Sequence, residues 1–401
     1  MAQRCVTVRN KHAFTAPGID KDQISTPTDA DSGRCPYDPV SMIDLHRSSP
    51  FVDLAAVEAW DAWFRWREKA DLRDLSIEDT WRRVSAALAS IEPGGETTTW
   101  QARFTDAFAS WRLLPDERLL ACAGTGRATH WDGVLHASLN AAGFVCQSPA
   151  TDASIDLAAL SDCAALAVRA LDNAALEAGI AAPHLRIGMI GVADALALLG
   201  LRYDSDPGRR QAGAMARALV EGCMHGSIML AAERGSCGQE AHVSIARARL
   251  RGLPGDLLNA AARHGVRHVQ LTAITSQPRL ALLANDVADA VDPLRGKDHA
   301  ILISTSDGQR TTVRSSGYAL NLLRAGGIKR EDMPDTLPDI SWTAQIKMRS
   351  TLQPWMDDPI DYPLLATNDL GEAQRLEARK LAEGHELGEP TWREVADLQP
   401  R

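Results

Sequence analysis

The sequence predicts a mainly α fold with a small residual sheet, an α+β arrangement in which helices dominate. Three observations predict it. Apolar residues recur at helical spacing over long stretches from Leu54 onward. Ser, Asp and Pro stand where those stretches begin and Gly where they end, which are helix boundary signals. β-like runs are short, at residues 266–273, 280–284 and 300–304.

Residues 1–50 read as a flexible N-terminal tail. Pro17, Gly18, Pro27, Asp29, Asp31, Pro36 and Pro39 leave few periodic apolar positions. Such a composition buries too little surface to offset its ordering entropy. Residues 51–150 read as an N-terminal helical region. Its first helix, 54–69, carries Leu54, Val57, Trp60, Trp63 and Phe64. Ser76-Ile-Glu-Asp79 resembles a capping box, with Asp79 in place of the usual Glu. Trp81, Val84, Leu88 and Ile91 then form one apolar stripe, ended by Pro93-Gly94-Gly95. That spacing assigns the tryptophans to a buried helical core rather than a stacking platform. A third helix covers about 99–111. Residues 115–126 read as a turn into Gly124-Thr-Gly126, which is short of both a P-loop and a dinucleotide fingerprint.

Residues 151–370 read as a second helical region. Leu157, Leu160, Ala164, Ala167 and Leu171 mark a helix over 156–178, and an Ala/Leu-rich helix follows over 188–200. Asp204-Ser-Asp-Pro-Gly208 opens a long helix, with Pro207 in the first turn where a missing N–H costs little. It runs through Met215, Leu219, Met224 and Ile228 to Gly235. Residues 316–325 and 342–355 also read as helices. Residues 371–401 read as a charged tail with Glu and Arg at helical spacing.

The 401 residues hold 43 Lys plus Arg against 52 Asp plus Glu, a formal net charge of −9. An acidic chain is a poor candidate for phosphate-driven nucleic-acid binding. No apolar run approaches the ~20 residues of a membrane span, and the first residues lack an apolar signal region. The expectation is a cytoplasmic protein that contacts neither membrane nor nucleic acid. Seven irregularly spaced cysteines contain no C-x-x-C and read as reduced, partly buried thiols. His264 and His268 stand at i, i+4 with no HExxH pattern or nearby carboxylate to complete a site, and Cys223 and His225 are another lone pair, so no metal site is expected. No Gly-x-Ser-x-Gly elbow is present.

Several segments together resemble a known family. They are Ser76-Ile-Glu-Asp-Thr-Trp-Arg-Arg-Val84, Leu114-Pro-Asp-Glu-Arg-Leu-Leu-Ala-Cys-Ala-Gly-Thr-Gly-Arg127, Leu171-Asp-Asn173, and Arg186-Ile-Gly-Met-Ile-Gly-Val-Ala-Asp194 with its continuation to Tyr203. Ala231-Ala-Glu-Arg-Gly235, Tyr318-Ala-Leu-Asn-Leu322, Met348-Arg-Ser-Thr-Leu-Gln-Pro354 and Asp361-Tyr-Pro363 continue the series. In this order they are similar to adenosylcobalamin-dependent (class II) ribonucleotide reductases, from about residue 50 to 370. The resemblance implies a remnant of the reductase large-chain fold, and adenosylcobalamin as the family cofactor.

The departures from the family shape the functional expectation. Catalytic members are longer, and about thirty residues here, between Arg127 and Leu157, replace most of the barrel. The family's Asn-x-Cys-x-Glu loop is absent, so no catalytic residue is identified. That chemistry needs a Cys to abstract hydrogen and a carboxylate to take a proton. The family's Pro-Thr-Gly-Thr-Ile-Ser phosphate loop corresponds to Ser276-Gln-Pro-Arg-Leu-Ala281. This is a degenerate equivalent, in which Pro278 removes a backbone donor, Gln277 and Ala281 bring no hydroxyl, and Arg279 is the remaining cation. The family's Ser-Ser-Gly-Ile-Glu-Pro corresponds to Ala288-Asp-Ala-Val-Asp-Pro293. Cys146 is a weak candidate for the first redox Cys, and no Cys lies beyond Cys237. The favoured expectation is a catalytically degenerate binding or regulatory partner in deoxyribonucleotide metabolism, as a homo-oligomer or with a full-length reductase. The alternatives are a component of a vitamin B12-dependent ribonucleoside-diphosphate reductase whose missing loop comes from another chain, and a nucleotide or cobalamin sensor. Apolar faces on the helices at 156–178 and 207–233 are expected to lie uncovered.

Overall fold

The computed structural model describes residues 50–394 except 70, 128, 149–150, 182, 297, 306–307, 367–369 and 386. The expected N-terminal tail, save Pro50, and the last seven residues lie outside that range. The described chain is mainly α with small sheets, and its strands do not close into a barrel.

Asp53 starts α1 (Leu54–Ala59) by accepting from the Ala55 N–H at 2.8 Å. A π-helical turn, Trp60–Phe64, follows. The predicted helix to residue 69 therefore stops early. Arg65 turns extended and, with Arg67, folds back onto Asp61 at 2.7 and 2.6 Å. The two-residue strands β1 (Arg67–Glu68) and β2 (Asp71–Leu72) follow. The Ser76–Asp79 capping box forms as predicted and opens α2 (Ile77–Ala89), which buries Trp81, Val84 and Leu88. α3 (Thr97–Ala109) packs beside it.

The expected turn at 115–126 is mostly regular structure. β3 (Leu113–Pro115) leads into α4 (Glu117–Cys122), because Asp116 accepts from the Arg118 N–H at 2.9 Å and caps a helix. β4 (Val134–Asn140) and the hairpin β5 (Val145–Ser148) and β6 (Thr151–Ile155) were not predicted. Asp156 caps α5 (Leu157–Glu177), as expected. The helix expected over 188–200 is corrected at its start: residues up to Ile190 belong to β7 (His184–Ile190), and α6 (Val192–Leu198) begins only after Gly191. A fully buried parallel strand reads as a continuous apolar run and mimics a helix. Gly191 makes the break at φ 67°, where a Cβ would stand 2.5 Å from Asn140 Oδ1.

Ser205 and Pro207 open α7 (Asp206–Arg234), which stops at Gly235 as predicted. α8 (Ala241–Leu250) and α9 (Gly255–His264) are additional helices. Gly265 ends α9, so His264 and His268 do not share a helix face; His268 is buried with Nε2 3.1 Å from Asp172 Oδ1. The β-like run 266–273 makes only one bridge, Thr272 to Ile187. The β-like run 280–284 is helical instead, in α10 (Pro278–Leu283), with Pro278 in the first turn. β8 (His299–Ser304) matches its prediction and pairs antiparallel with β9 (Arg310–Ser315). α11 (Tyr318–Ala325) and α12 (Trp342–Leu352) match theirs. β10 (Leu364–Ala366), α13 (Glu372–Gly384) and β11 (Trp392–Glu394) complete the chain.

The main sheet has the order β3-β4-β7, with β4 and β7 parallel. α5 packs on it and α7 packs on α5. The two helices approach so closely at Gly222 and Gly226 that a Cβ on Gly222 would run into the Ser161 carbonyl. The expectation of uncovered faces on these helices is overturned. Leu160, Ala164, Ala167 and Leu171 of α5, and Met215, Leu219, Met224 and Ile228 of α7, are buried within this chain. The sheet and the neighbouring helices cover them.

Candidate functional site

β4 and β7 end together at Asn140 and Ile190. In parallel sheets, ligands bind beyond these carboxyl ends. Here the chain's own residues 280–294, all buried, take that position. The Gly191 N–H donates to the Ala288 carbonyl at 2.8 Å. Asp194, on α6, accepts from the Ala288 N–H at 2.6 Å and from the Ala319 N–H at 3.0 Å. Burial pushes the Asp194 carboxyl up to about 6, against those two hydrogen bonds. Asn285, Asp286 and Ala290 have φ of 66°, 60° and 48°, a left-handed conformation that costs a non-glycine residue energy. The Asn285 side chain accepts from the Val52 N–H at 2.7 Å and so ties the loop to the start of the fold.

The degenerate phosphate-loop equivalent leads into this plug. Ser276 Oγ donates to Asp289 Oδ2 at 2.5 Å, and the Gln277 N–H donates to Asp289 Oδ1 at 2.6 Å. An internal carboxylate thus takes both donors. Burial raises Asp289, while Ser276, Gln277, Arg295 and Arg393 lower it. The Gln277 amide also donates to Thr275 Oγ1 at 3.0 Å. Pro278 and Ala281 are helical residues of α10, and Ala281 is buried. Arg279 reaches Glu117 at 3.5 Å and lies over the Trp63 ring at 5.1 Å. Glu117 is raised, first by burial, with Asp116 and Asp289 adding to the rise and Arg279 opposing it.

A third carboxylate closes the plug from the other side. Asp292 lies 3.5 Å from Arg349, whose guanidinium covers the Tyr362 ring at 3.9 Å. Burial outweighs that cation and pushes Asp292 up to about 7. Tyr203 donates to the Val291 carbonyl at 2.8 Å and is itself raised by burial.

Cys146 is half-buried on β5, opposite Ser154. Cys122, Cys163, Cys223 and Cys237 are free thiols. Burial pushes Cys163 up to about 12 and Cys223 well up, which removes thiolate character. Asp289 and Asp292 were not among the expected site residues. The signal for them was three acidic residues, Asp286, Asp289 and Asp292, at intervals of three inside an Ala/Val run. Carboxylates in such a run must find internal partners.

Residues 136–297 match the family model of the ribonucleotide reductase barrel domain. The match runs from β4 through the plug and covers less than half of the chain. It supports a relationship to the ribonucleotide reductase large chain. No curated protein matches the chain.

Proposed function

We propose that this relative of the ribonucleotide reductase large chain is catalytically degenerate and serves deoxyribonucleotide metabolism as a binding or regulatory partner. One observation carries the reading. The Asp289 carboxylate occupies the Ser276 and Gln277 donors that a substrate phosphate would need. A second anion there would meet a buried carboxyl that already holds both donors. The absent Asn-x-Cys-x-Glu loop supports the same reading. The resemblance implies adenosylcobalamin, but the strand ends are filled by the chain's own buried residues 280–294, which leave no open face there for a large cofactor, so no step is derived through it. The cytoplasm is the proposed compartment.

The test is an assay of deoxynucleotide formation from ribonucleoside di- and triphosphates with adenosylcobalamin and a dithiol. The chain alone is expected to give only background. Added to a full-length reductase, it is expected to bind in a pull-down and alter the rate. Cobalamin-dependent product from the chain alone overturns the proposal. Activity that appears only with an inactive loop-bearing chain transfers the case to the reading in which the loop is supplied in trans.

A further inference from the structure

His299, the first residue of β8, ties the β8–β9 hairpin to the plug. Its Nδ1 stands 3.0 Å from the Gly296 carbonyl and its Nε2 stands 3.1 Å from Asp286 Oδ2. A carbonyl oxygen only accepts, so Nδ1 carries a proton. A neutral ring has no second one. Its Nε2 would then turn a lone pair toward a carboxylate oxygen. Both of these atoms are buried, and neither has another hydrogen-bond partner. The pair is satisfied only by one further proton between them, on the ring or on the carboxyl.

The surroundings leave that proton as the one remedy. Ser315, across the ladder from His299, donates to Asp53 Oδ2 at 2.6 Å, and Asn321 reaches the same oxygen at 3.4 Å. Asp53 Oδ1 accepts from the Ala55 N–H. The donors beside the pair are thus taken by a second carboxyl. Burial raises Asp53, and Asp286 adds to the rise while Ser315, the Ala55 N–H and His299 oppose it. Asp286 adds likewise to the rise at Asp194 on α6. Asp298, just before β8, accepts from Ser316 Oγ at 3.5 Å, and Arg314 on β9 donates to the Asp298 carbonyl at 3.1 Å.

The hairpin is lightly held elsewhere. Ile301, Ile303 and Val313 meet Ala55, Ala59 and Leu282 in a small cluster apart from the main core. Trp63 Nε1 donates to the Ser304 carbonyl at 2.9 Å. Arg310, Thr311, Thr312 and Arg314 of β9 are exposed. Gly296 and Gly317 bracket the hairpin at φ of 105° and 82°, backbone that glycine adopts without strain. A few such positions are enough to absorb the change of direction when an element swings.

We propose that the His299–Asp286 contact is a proton-dependent latch: with its proton the β8–β9 hairpin seats on the plug, and without it the hairpin swings out about Gly296 and Gly317 and uncovers Leu282. The sign follows from linkage. In water an imidazole gives up its second proton at about pH 6.5, and a carboxyl holds none much above about pH 4. Above that range only the seated state binds the proton, so rising pH favours release. The inference does not depend on the proposed function.

Hydrogen exchange on the full chain, corrected for the intrinsic rate at each pH, reads the latch. Protection of peptides covering residues 299–315, divided by that of α5 peptides in the same sample, should fall at least tenfold between pH 6 and pH 9. The α5 reference accounts for pH effects on the whole fold, that of Asp292 included. Asp286→Asn sets an amide donor where the proton sits and satisfies a neutral His299 at every pH. Asparagine also takes the left-handed backbone of this position. The ratio for this variant should change less than twofold over the same range. If it fails to fold, His299→Gln, whose amide donates to Asp286 without titrating, takes its place with the same expectation. A wild-type ratio that is flat across the range, or a variant ratio that falls as steeply as that of wild type, overturns the proposal.

Discussion

Asp292 carries the clearest single-residue consequence. Its carboxyl is raised from 3.8 to about 7 by burial. A raised acid contributes stability that is complete below the unfolded value and is lost as pH climbs to the folded one. The window runs from about pH 4 to about pH 7. Asp292→Asn, which keeps an acceptor for Arg349, should flatten the stability profile there by up to ~1.4 kcal/mol per pH unit. Urea melts of both proteins at pH 4.5, 6 and 7.5 measure the difference, and parallel profiles refute the assignment. Asp194 rises in the same direction but is present in both proteins. None of this was legible in sequence, because the partners of Asp292 are Arg349 and Tyr362, far along the chain. Ser76 and Asp79 were legible because a cap and its partner lie three residues apart.

At the scale of elements, local signals and packing signals separate. α2, α5 and α7 were readable from caps and stripes, since both are written within the helix. β7 was partly misread because burial on both faces removes the alternation that marks a strand. α10 was misread because six residues are too few to show a helical period. The α5–α7 contact predicts its own weak point. Gly222→Ala would force a methyl into the Ser161 carbonyl, and neither helix has room to yield. Overpacking of this kind costs about 1–3 kcal/mol. Thermal melts should show Gly222→Ala clearly destabilised and Gly255→Ala, at the open start of α9, far less affected. Equal melting points would mean that the two helices part more easily than their packing implies.

At the scale of the molecule, a buried ion network joins the turn after α2, α5, the end of α7 and the loop after α9. Arg169 and Arg234 meet Glu92 at 3.0 and 2.9 Å, and Arg234 and Arg267 each meet Asp172 at 2.6 Å. These partners, and Asn173 and His268, hold both carboxyls below their usual range despite burial. A depressed acid contributes stability that is present above the unfolded pKa and is lost as pH falls. The network therefore fails on acidification below about pH 4, outside the Asp292 window. Asp172→Asn leaves the Arg267 guanidinium without its carboxylate and Arg234 with Glu92 alone, and should cost about 3–5 kcal/mol at pH 7. Denaturant titration measures that loss, and the variant's stability should fall less steeply below pH 4 than that of wild type. The mainly α class was legible because most helices carry their own signals. The plug at the strand ends was not, because it is made by chain segments that sequence distance keeps apart.

The aromatic cluster near the start of the fold also decides what light can report. Phe51 lies against Trp60 and Trp111, and Trp111 meets Trp81 edge-on. Seven of the ten tryptophans fall between residues 60 and 131, and the other three stand at 342, 355 and 392. The stretch matched to the reductase barrel domain contains none. Intrinsic emission therefore has no probe within the plug and sees it only from outside, through Trp63, which packs on the cluster of Leu282. Changes at Trp392 follow the terminal strand and changes at Trp100, whose ring Arg169 covers at 4.0 Å, follow the seating of α5, while loss of the helices themselves registers in far-ultraviolet dichroism. A fluorescence transition that precedes the dichroism transition would measure, without any label, how far the flanks open before the middle does.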